Sequence, residues 1–187
     1  MKKKKPLRAV VIIVLFAAMV VLLVRHFHIK NFNIIRPGTL YTSGQPKGMD
    51  YTRLLYKYHI ATIVNLRSPA EHREQNWYNA EITWVRTHGV KYIEMPLDRD
   101  INSPRHFPDA KMQEQFLAIM ADRENLPVLV HDGSGEGRVA MLAAVWLIRA
   151  EKLPVENAVG VAQQIEKQPL AKQESLFVNS LADLGTN

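Results

Sequence analysis

The chain contains no cysteine. That excludes disulfides, thiolate metal sites and a sulfur nucleophile together, and it is compatible with any redox compartment. Acidic residues are missing from positions 1–30, which hold seven of the chain's 24 lysines and arginines. The formal charge of +6 therefore belongs to the N-terminus, and the remainder is one charge short of neutral. This distribution argues against a nucleic-acid-binding protein. There is no internal repeat, no low-complexity stretch beyond the lysines, and no HExxH, Walker or Rossmann pattern. Nothing in the sequence implies a cofactor or a metal site.

The first feature present is an apolar run. Residues 9–24, AVVIIVLFAAMVVLLV, are sixteen apolar residues without a charge, behind the tip MKKKKPLR. As a helix at about 1.5 Å per residue they span roughly 24 Å, a little short of a ~30 Å hydrocarbon core. Arg8, Arg25 and Lys30 can snorkel to make up the difference. A cleavable signal peptide is the competing reading, but the run ends VLLVRHFHIK, without a small-residue cleavage site. The expectation is one uncleaved transmembrane helix with its basic tip in the cytoplasm. The soluble part is then extracytoplasmic, periplasmic in a Gram-negative cell. The chain divides into 1–30, tip and anchor, and 31–187, one domain.

Apolar patterning predicts alternating strands and helices. Runs at 61–67, 90–97 and 128–131 read as strands, and 40–46 as a short strand followed by a loop. Helices are expected over 51–58 with Asp50 as N-cap, 70–88 stopped by Gly89, 109–122 and 138–151. Two more are expected before the C-terminus. Residues 98–108, DRDINSPRHFP, are loop. The fold class is α/β, a central mostly parallel sheet flanked by helices and preceded by the membrane helix.

One stretch carries chemistry. In VLVHDGSGEGRVAMLAAVWLI, residues 128–148, a buried strand ends at His131, glycines follow at 133, 135 and 137, and Arg138 opens a helix. The glycines permit positive φ and close approach to a ligand. Successive N–H groups at a helix start form an anion site, and Arg138 offers a bidentate fork. Ser134 can hydrogen-bond a phosphate or stabilise the turn. Trp77, Trp84 and Trp146 take core-like positions, and Tyr41, Ser43 and Gln45 read as structural.

HDGSGEGR resembles the active-site loop of the protein-tyrosine and dual-specificity phosphatases, which runs His, Cys, five residues, Arg. LYTSGQP, ATIVNLR and MPLDRD resemble the atypical bacterial and fungal branch, over roughly residues 35–165. The resemblance implies a phosphoric monoester hydrolase scaffold acting on a phosphorylated protein or small phosphomonoester. It places Asp132 at the nucleophile position. Gly133, Ser134, Gly135, Glu136, Gly137 and Arg138 become the phosphate cradle, and His131 the support of the loop. The general acid falls on Asp98 or Asp100, with Asp100 favoured.

The chain departs from that pattern at three points. Asp132 replaces the thiolate that would form a phosphocysteine, Val139 stands where most members carry Ser or Thr, and Glu136 adds negative charge. Acyl-phosphate chemistry at an Asp normally recruits a divalent metal, and Asp132 with Glu136 is one carboxylate pair only. The carboxylate is longer than a Cys side chain. It is expected to reach into the cradle, accept the loop N–H groups and pair with Arg138, which would make the chain inactive or crippled. The alternative is a pseudophosphatase module that binds a phosphoryl, acidic or protein ligand without turnover.

Overall fold

Five strands of four residues form one sheet: β1 (Asn33–Arg36), β2 (Leu40–Ser43), β3 (Thr62–Asn65), β4 (Lys91–Glu94) and β5 (Val128–His131). Their spatial order is β1-β2-β5-β3-β4, with β1 antiparallel to β2 and every other pairing parallel. In this computed structural model residues 5–26, 28–73 and 76–182 are described, and side chains are not described at 5–9 and 21–26.

Side chains alternate between the two faces, as a pleated strand requires. Leu40, Val64, Val128 and Val130 point into one apolar cluster, and Tyr41, Ile63 and Leu129 into the other. The second cluster is closed by α2 (Met49–Tyr56) and α4 (Trp77–His88). The first is closed by α5 (Ala110–Ala121), α6 (Gly137–Arg149), α7 (Val155–Glu166) and α8 (Lys172–Ser180). Helix α6 is buried without interruption from Arg138 to Leu147, because it packs against the sheet, α5, α7 and α8 together. A helix apolar all round is stable only in such a place. Val139 is one of these core residues, at 0% exposure.

The α/β class and the mostly parallel sheet are as expected from the sequence. Two local expectations need correction. The helix expected over 70–88 is two helices, α3 (Pro69–His72) and α4. Trp77 Nε1, at the start of α4, donates to the Glu71 carbonyl of α3 at 3.3 Å. Asp50 lies inside α2 rather than at its N-cap, and accepts from the Lys47 N–H at 2.9 Å. Gly89 does stop α4, in the left-handed conformation with φ 67°.

The N-terminal run forms helix α1 (Lys5–His26). Residues 10–20 are exposed, so they are not part of the domain core. Among the described residues no helix is long and apolar enough to cross a membrane. The basic tip at 1–4 and the side chains at both ends of the expected 9–24 span lie outside the described residues.

The register of the parallel strands fixes the site. Ser43, His131 and Asn65 sit level on β2, β5 and β3. Their following loops converge at the carboxyl edge of the sheet, where ligands of open α/β sheets bind.

Candidate anion-binding site

The loop leaving β5 turns at once, and Gly135 makes that turn. Its φ is 82°, and a Cβ there would lie 2.2 Å from the Gly44 nitrogen and 2.9 Å from Asn31 Cβ. Gly133 and Gly137 have ordinary space, with nearest atoms at 3.7 Å, so only the middle glycine is dictated by geometry.

The Asp132 carboxylate fills the cradle. Its Oδ1 accepts from the N–H of Ser134 at 2.9 Å and of Gly135 at 2.6 Å, and more weakly from the Ser134 hydroxyl at 3.4 Å. Its Oδ2 accepts from Arg138 Nε at 2.9 Å. The group is 2% exposed, and each oxygen has a donor, which makes burial of the charge tolerable.

Arg138 is held from its other end by Glu71. Nη1 donates to Glu71 Oε2 at 2.7 Å and Nη2 to Oε1 at 3.2 Å, a bidentate pair. Nη1 also meets the Leu97 carbonyl at 3.0 Å. Glu71 takes further bonds from Ser68 N at 3.0 Å and Arg67 Nε at 3.2 Å. Burial alone would raise its pKa, but the bonds from Arg138 and Ser68 and the charges of Arg138 and Arg67 outweigh that and lower it to about 2. Arg67 stacks over Trp77 at 3.9 Å and reaches Gln45 Oε1 at 3.2 Å.

Beneath the loop, His131 is fully buried with Nε2 3.3 Å from Glu81 Oε1. The same carboxylate accepts from Tyr51 at 3.1 Å, Gln45 at 3.2 Å and Tyr92 at 3.0 Å. Burial works against its ionisation, but His131 and the two phenols lower its pKa nonetheless.

Above the loop is a cavity of about 480 Å³. Lys30, Lys47, Arg67 and Arg99 supply positive charge to its walls, and Asp132, Glu136 and Glu166 negative charge. Glu166 is 5% exposed with Oε1 unpartnered. Burial first, then the nearby charges of Glu174, Glu136 and Asp132, push its pKa up to about 7.

The structure does not bring Asp100 to this cavity. Its Oδ1 accepts from Asn102 N at 3.0 Å and Nδ2 at 3.2 Å, a local turn on an exposed loop. Asp98 is likewise turned to Ser103, at 2.7 Å. From this segment Arg99 and His106 line the cavity instead. His106 is buried, donates Nδ1–H to the Asp98 carbonyl at 3.0 Å and leaves Nε2 without a partner. Sequence reasoning missed Glu71, Glu81, His106 and Glu166. Only Glu71 had a local signal, the Ser68-x-x-Glu71 spacing of a capping box, of which the structure forms the Ser68 N–H to Glu71 bond. Among the described residues no group of three His, Asp or Glu side chains could hold a metal ion.

Comparison with known proteins places the geometry. Residues 29–177 match the family described as PTP-SAK, Swiss Army Knife protein, DSP-PTPase phosphatase domain. The chain is 25% identical over 107 residues to the tyrosine-protein phosphatase-like protein OCA2 of Saccharomyces cerevisiae. That match covers 57% of this chain and 50% of OCA2, so the chain spans about half the length of that relative. The core catalytic domain of the PP-IP phosphatase SIW14 from S. cerevisiae, solved with citrate, has a TM-score of 0.66 at 15% identity over 82% of this chain and 86% of that one. PTPMT1 in complex with PI(5)P has a TM-score of 0.63 at 14% identity over 83% and 96% of the two chains. TpbA of P. aeruginosa, also solved in complex with pTyr, has a TM-score of 0.61 at 19% identity over 84% and 92%. Identities this low show a shared fold alone.

Proposed function

Because this chain belongs to the Swiss Army Knife DSP-PTPase phosphatase domain family, we propose that it is a pseudophosphatase, a phosphatase scaffold whose anion cradle is closed by its own Asp132. The observation that carries this reading is that Ser134 N, Gly135 N and Arg138 Nε all donate to the Asp132 carboxylate at 2.9 Å or less. These are the groups a phosphoryl ligand would use. Hydrogen bonds to a charged group contribute about 1.5–3 kcal/mol each. A phosphate about 4 Å from the carboxylate also meets ~1–4 kcal/mol of repulsion. Both effects oppose entry of a substrate, and the nucleophilic sulfur that would attack phosphorus is absent.

The ligand class is a phosphomonoester, on a protein or a small molecule, or an acidic group that imitates one. Two observations support it: the basic walls at Lys30, Lys47 and Arg99, and the phosphorylated compounds in the names of the similar structures. Residues 9–24 serve as the membrane anchor, with the basic tip cytoplasmic and the domain on the far side. The apolar run and the absence of acids before residue 31 support that part.

The test compares the full chain with its Asp132→Cys variant for hydrolysis of an aryl phosphate, with and without Mg²⁺. Turnover by the Cys variant alone is expected. Turnover by the chain with Asp132 in place would overturn the reading. For the anchor, retention in membranes after alkaline carbonate washing is expected, and release into the wash would refute it.

A further inference from the structure

The two cradle N–H groups belong to two consecutive peptide planes, Gly133–Ser134 and Ser134–Gly135. In a trans peptide the C=O and N–H point in opposite directions, so a donor fixed on the carbonyl also aims the N–H. Both carbonyls are held from behind. Lys30 Nζ donates to the Gly133 carbonyl at 2.9 Å, and Asn31 Nδ2 donates to the Ser134 carbonyl at 2.8 Å. From the opposite edges of the same planes, Ser134 N and Gly135 N donate to Asp132 Oδ1.

The strap that carries these donors is itself pinned. The Lys30 carbonyl accepts from Gly44 N at 2.8 Å. Asn31 adopts φ 45°, a left-handed conformation that Asn tolerates better than most residues. Its amide is oriented by two charged neighbours: Lys167 Nζ donates to Oδ1, and Nδ2 donates also to Glu136 Oε1, at 2.9 Å. Reversing the amide would set Oδ1 against two acceptors, so the orientation is determined.

We infer that Lys30 and Asn31 are positioning residues of the cradle, which fix the direction of the Ser134 and Gly135 N–H groups toward whatever anion lies there. Chains of hydrogen bonds also polarise one another, so each carbonyl donor strengthens the N–H on the far edge of its plane. The inference deepens the cradle reading above and rests on it. It adds that recognition at residues 132–138 depends on two side chains 103 residues earlier in sequence.

Amide hydrogen exchange on the full chain in detergent micelles tests it. Asn31→Gly keeps the left-handed backbone and loses the amide donor to the Ser134 carbonyl. Asn31→Asp keeps the shape and replaces the donor by an acceptor. Lys30→Met removes the other donor, and Lys30→Arg restores it. Exchange at Ser134 and Gly135 is expected to accelerate about tenfold or more in the first three variants and to recover in Lys30→Arg, with the β5 amides unchanged. Unchanged exchange at Ser134 and Gly135, or equal acceleration across β5, would overturn the inference. Inorganic phosphate added to Asp132→Ala tests the cradle reading separately. Failure to bind would sink that reading, while the exchange result would still decide whether the strap aims the two N–H groups.

Discussion

Arg138 donates Nε–H to Asp132 Oδ2 across 2.9 Å while both Nη groups face Glu71. One guanidinium is thus shared by two buried carboxylates, one on helix α3 and one on the loop after β5, and it is 3% exposed. The two carboxylates are not equivalent. Glu71 also neutralises Arg67 and caps α3, whereas Asp132 serves the loop alone.

That difference predicts what removing Asp132 does. In Asp132→Ala, Arg138 keeps its bidentate partner and the cradle N–H groups lose theirs. Inorganic phosphate should then raise the unfolding midpoint of the variant, following RT ln(1 + [L]/Kd), about 2.7 kcal/mol at a hundredfold excess over Kd. The parent should show no such shift. A phosphate-dependent midpoint in the parent would mean that Asp132 leaves the cradle readily.

Removing Glu71 should be worse. Glu71→Gln leaves Arg138 and Arg67 facing a neutral amide in a buried place, and breaking such a pair typically costs about 3–5 kcal/mol. Urea denaturation at neutral pH is the measurement. The pH dependence has a definite sign. A folded pKa held at about 2, below the ordinary carboxylate value of 4.5, gives stability that is complete above about 4.5 and is lost as pH falls through about 2. Glu71→Gln should flatten that acid limb.

How much of this was legible in the sequence follows from where the partners lie. The cradle, residues 131–138, is contiguous, so glycine spacing and a terminal Arg announced it. The reach of Asp132 into it needed only the length of one side chain. Arg138's second partner is 67 residues away, and the donors behind the loop are 103 away. No local pattern links residues at such distances, although Ser68-x-x-Glu71 marked a cap. Asp100 was placed by analogy with an acidic loop. In the structure Asn102, two residues on, donates to its carboxylate, and Asp100 is exposed.

The placement of Asp100 outside the cavity lining has a kinetic consequence. If Asp132→Cys restores hydrolysis, adding Asp100→Asn should change the rate by less than about twofold, because the side chain does not line the cavity. His106→Asn should lower that rate more than Asp100→Asn does, because His106 lines the cavity and Asp100 does not. His106 Nε2 is a buried, unpartnered nitrogen on the cavity wall. A large loss with Asp100→Asn and none with His106→Asn would show that the loop rearranges around substrate.

Glu166 gives a second pH signature, of opposite sign. Its carboxyl is pushed up to about 7, so the folded state holds a proton that the unfolded chain releases near 4.5. The resulting penalty is absent below about 4.5, grows as pH rises, and is complete above about 7. At ~1.4 kcal/mol per pKa unit the penalty is a few kcal/mol at most. Glu166→Gln keeps the shape without the charge, so it should stabilise the chain at pH 8 and leave it unchanged at pH 4. Unfolding midpoints at the two pH values decide the matter, and equal gains at both would rule out titration of Glu166 as the cause.

The loop glycines separate steric need from chemical convenience. Gly135→Ala would place a methyl 2.2 Å from Gly44 N at φ 82°, against backbone that cannot yield. The variant must therefore move β2's exit loop or lose the turn, with about 1–3 kcal/mol expected from the backbone conformation alone before any clash is counted. Gly133→Ala meets only the Arg67 and Glu71 side chains, at 3.7 Å and beyond, in ordinary contact. It should stay within about 1 kcal/mol of the parent and keep the Asp132 bonds, since Ser134 N and Gly135 N are untouched. Thermal unfolding of both variants, with exchange at the Ser134 amide as the local probe, tests the contrast. A mild Gly135→Ala beside a severe Gly133→Ala would show that the loop is built on a different turn.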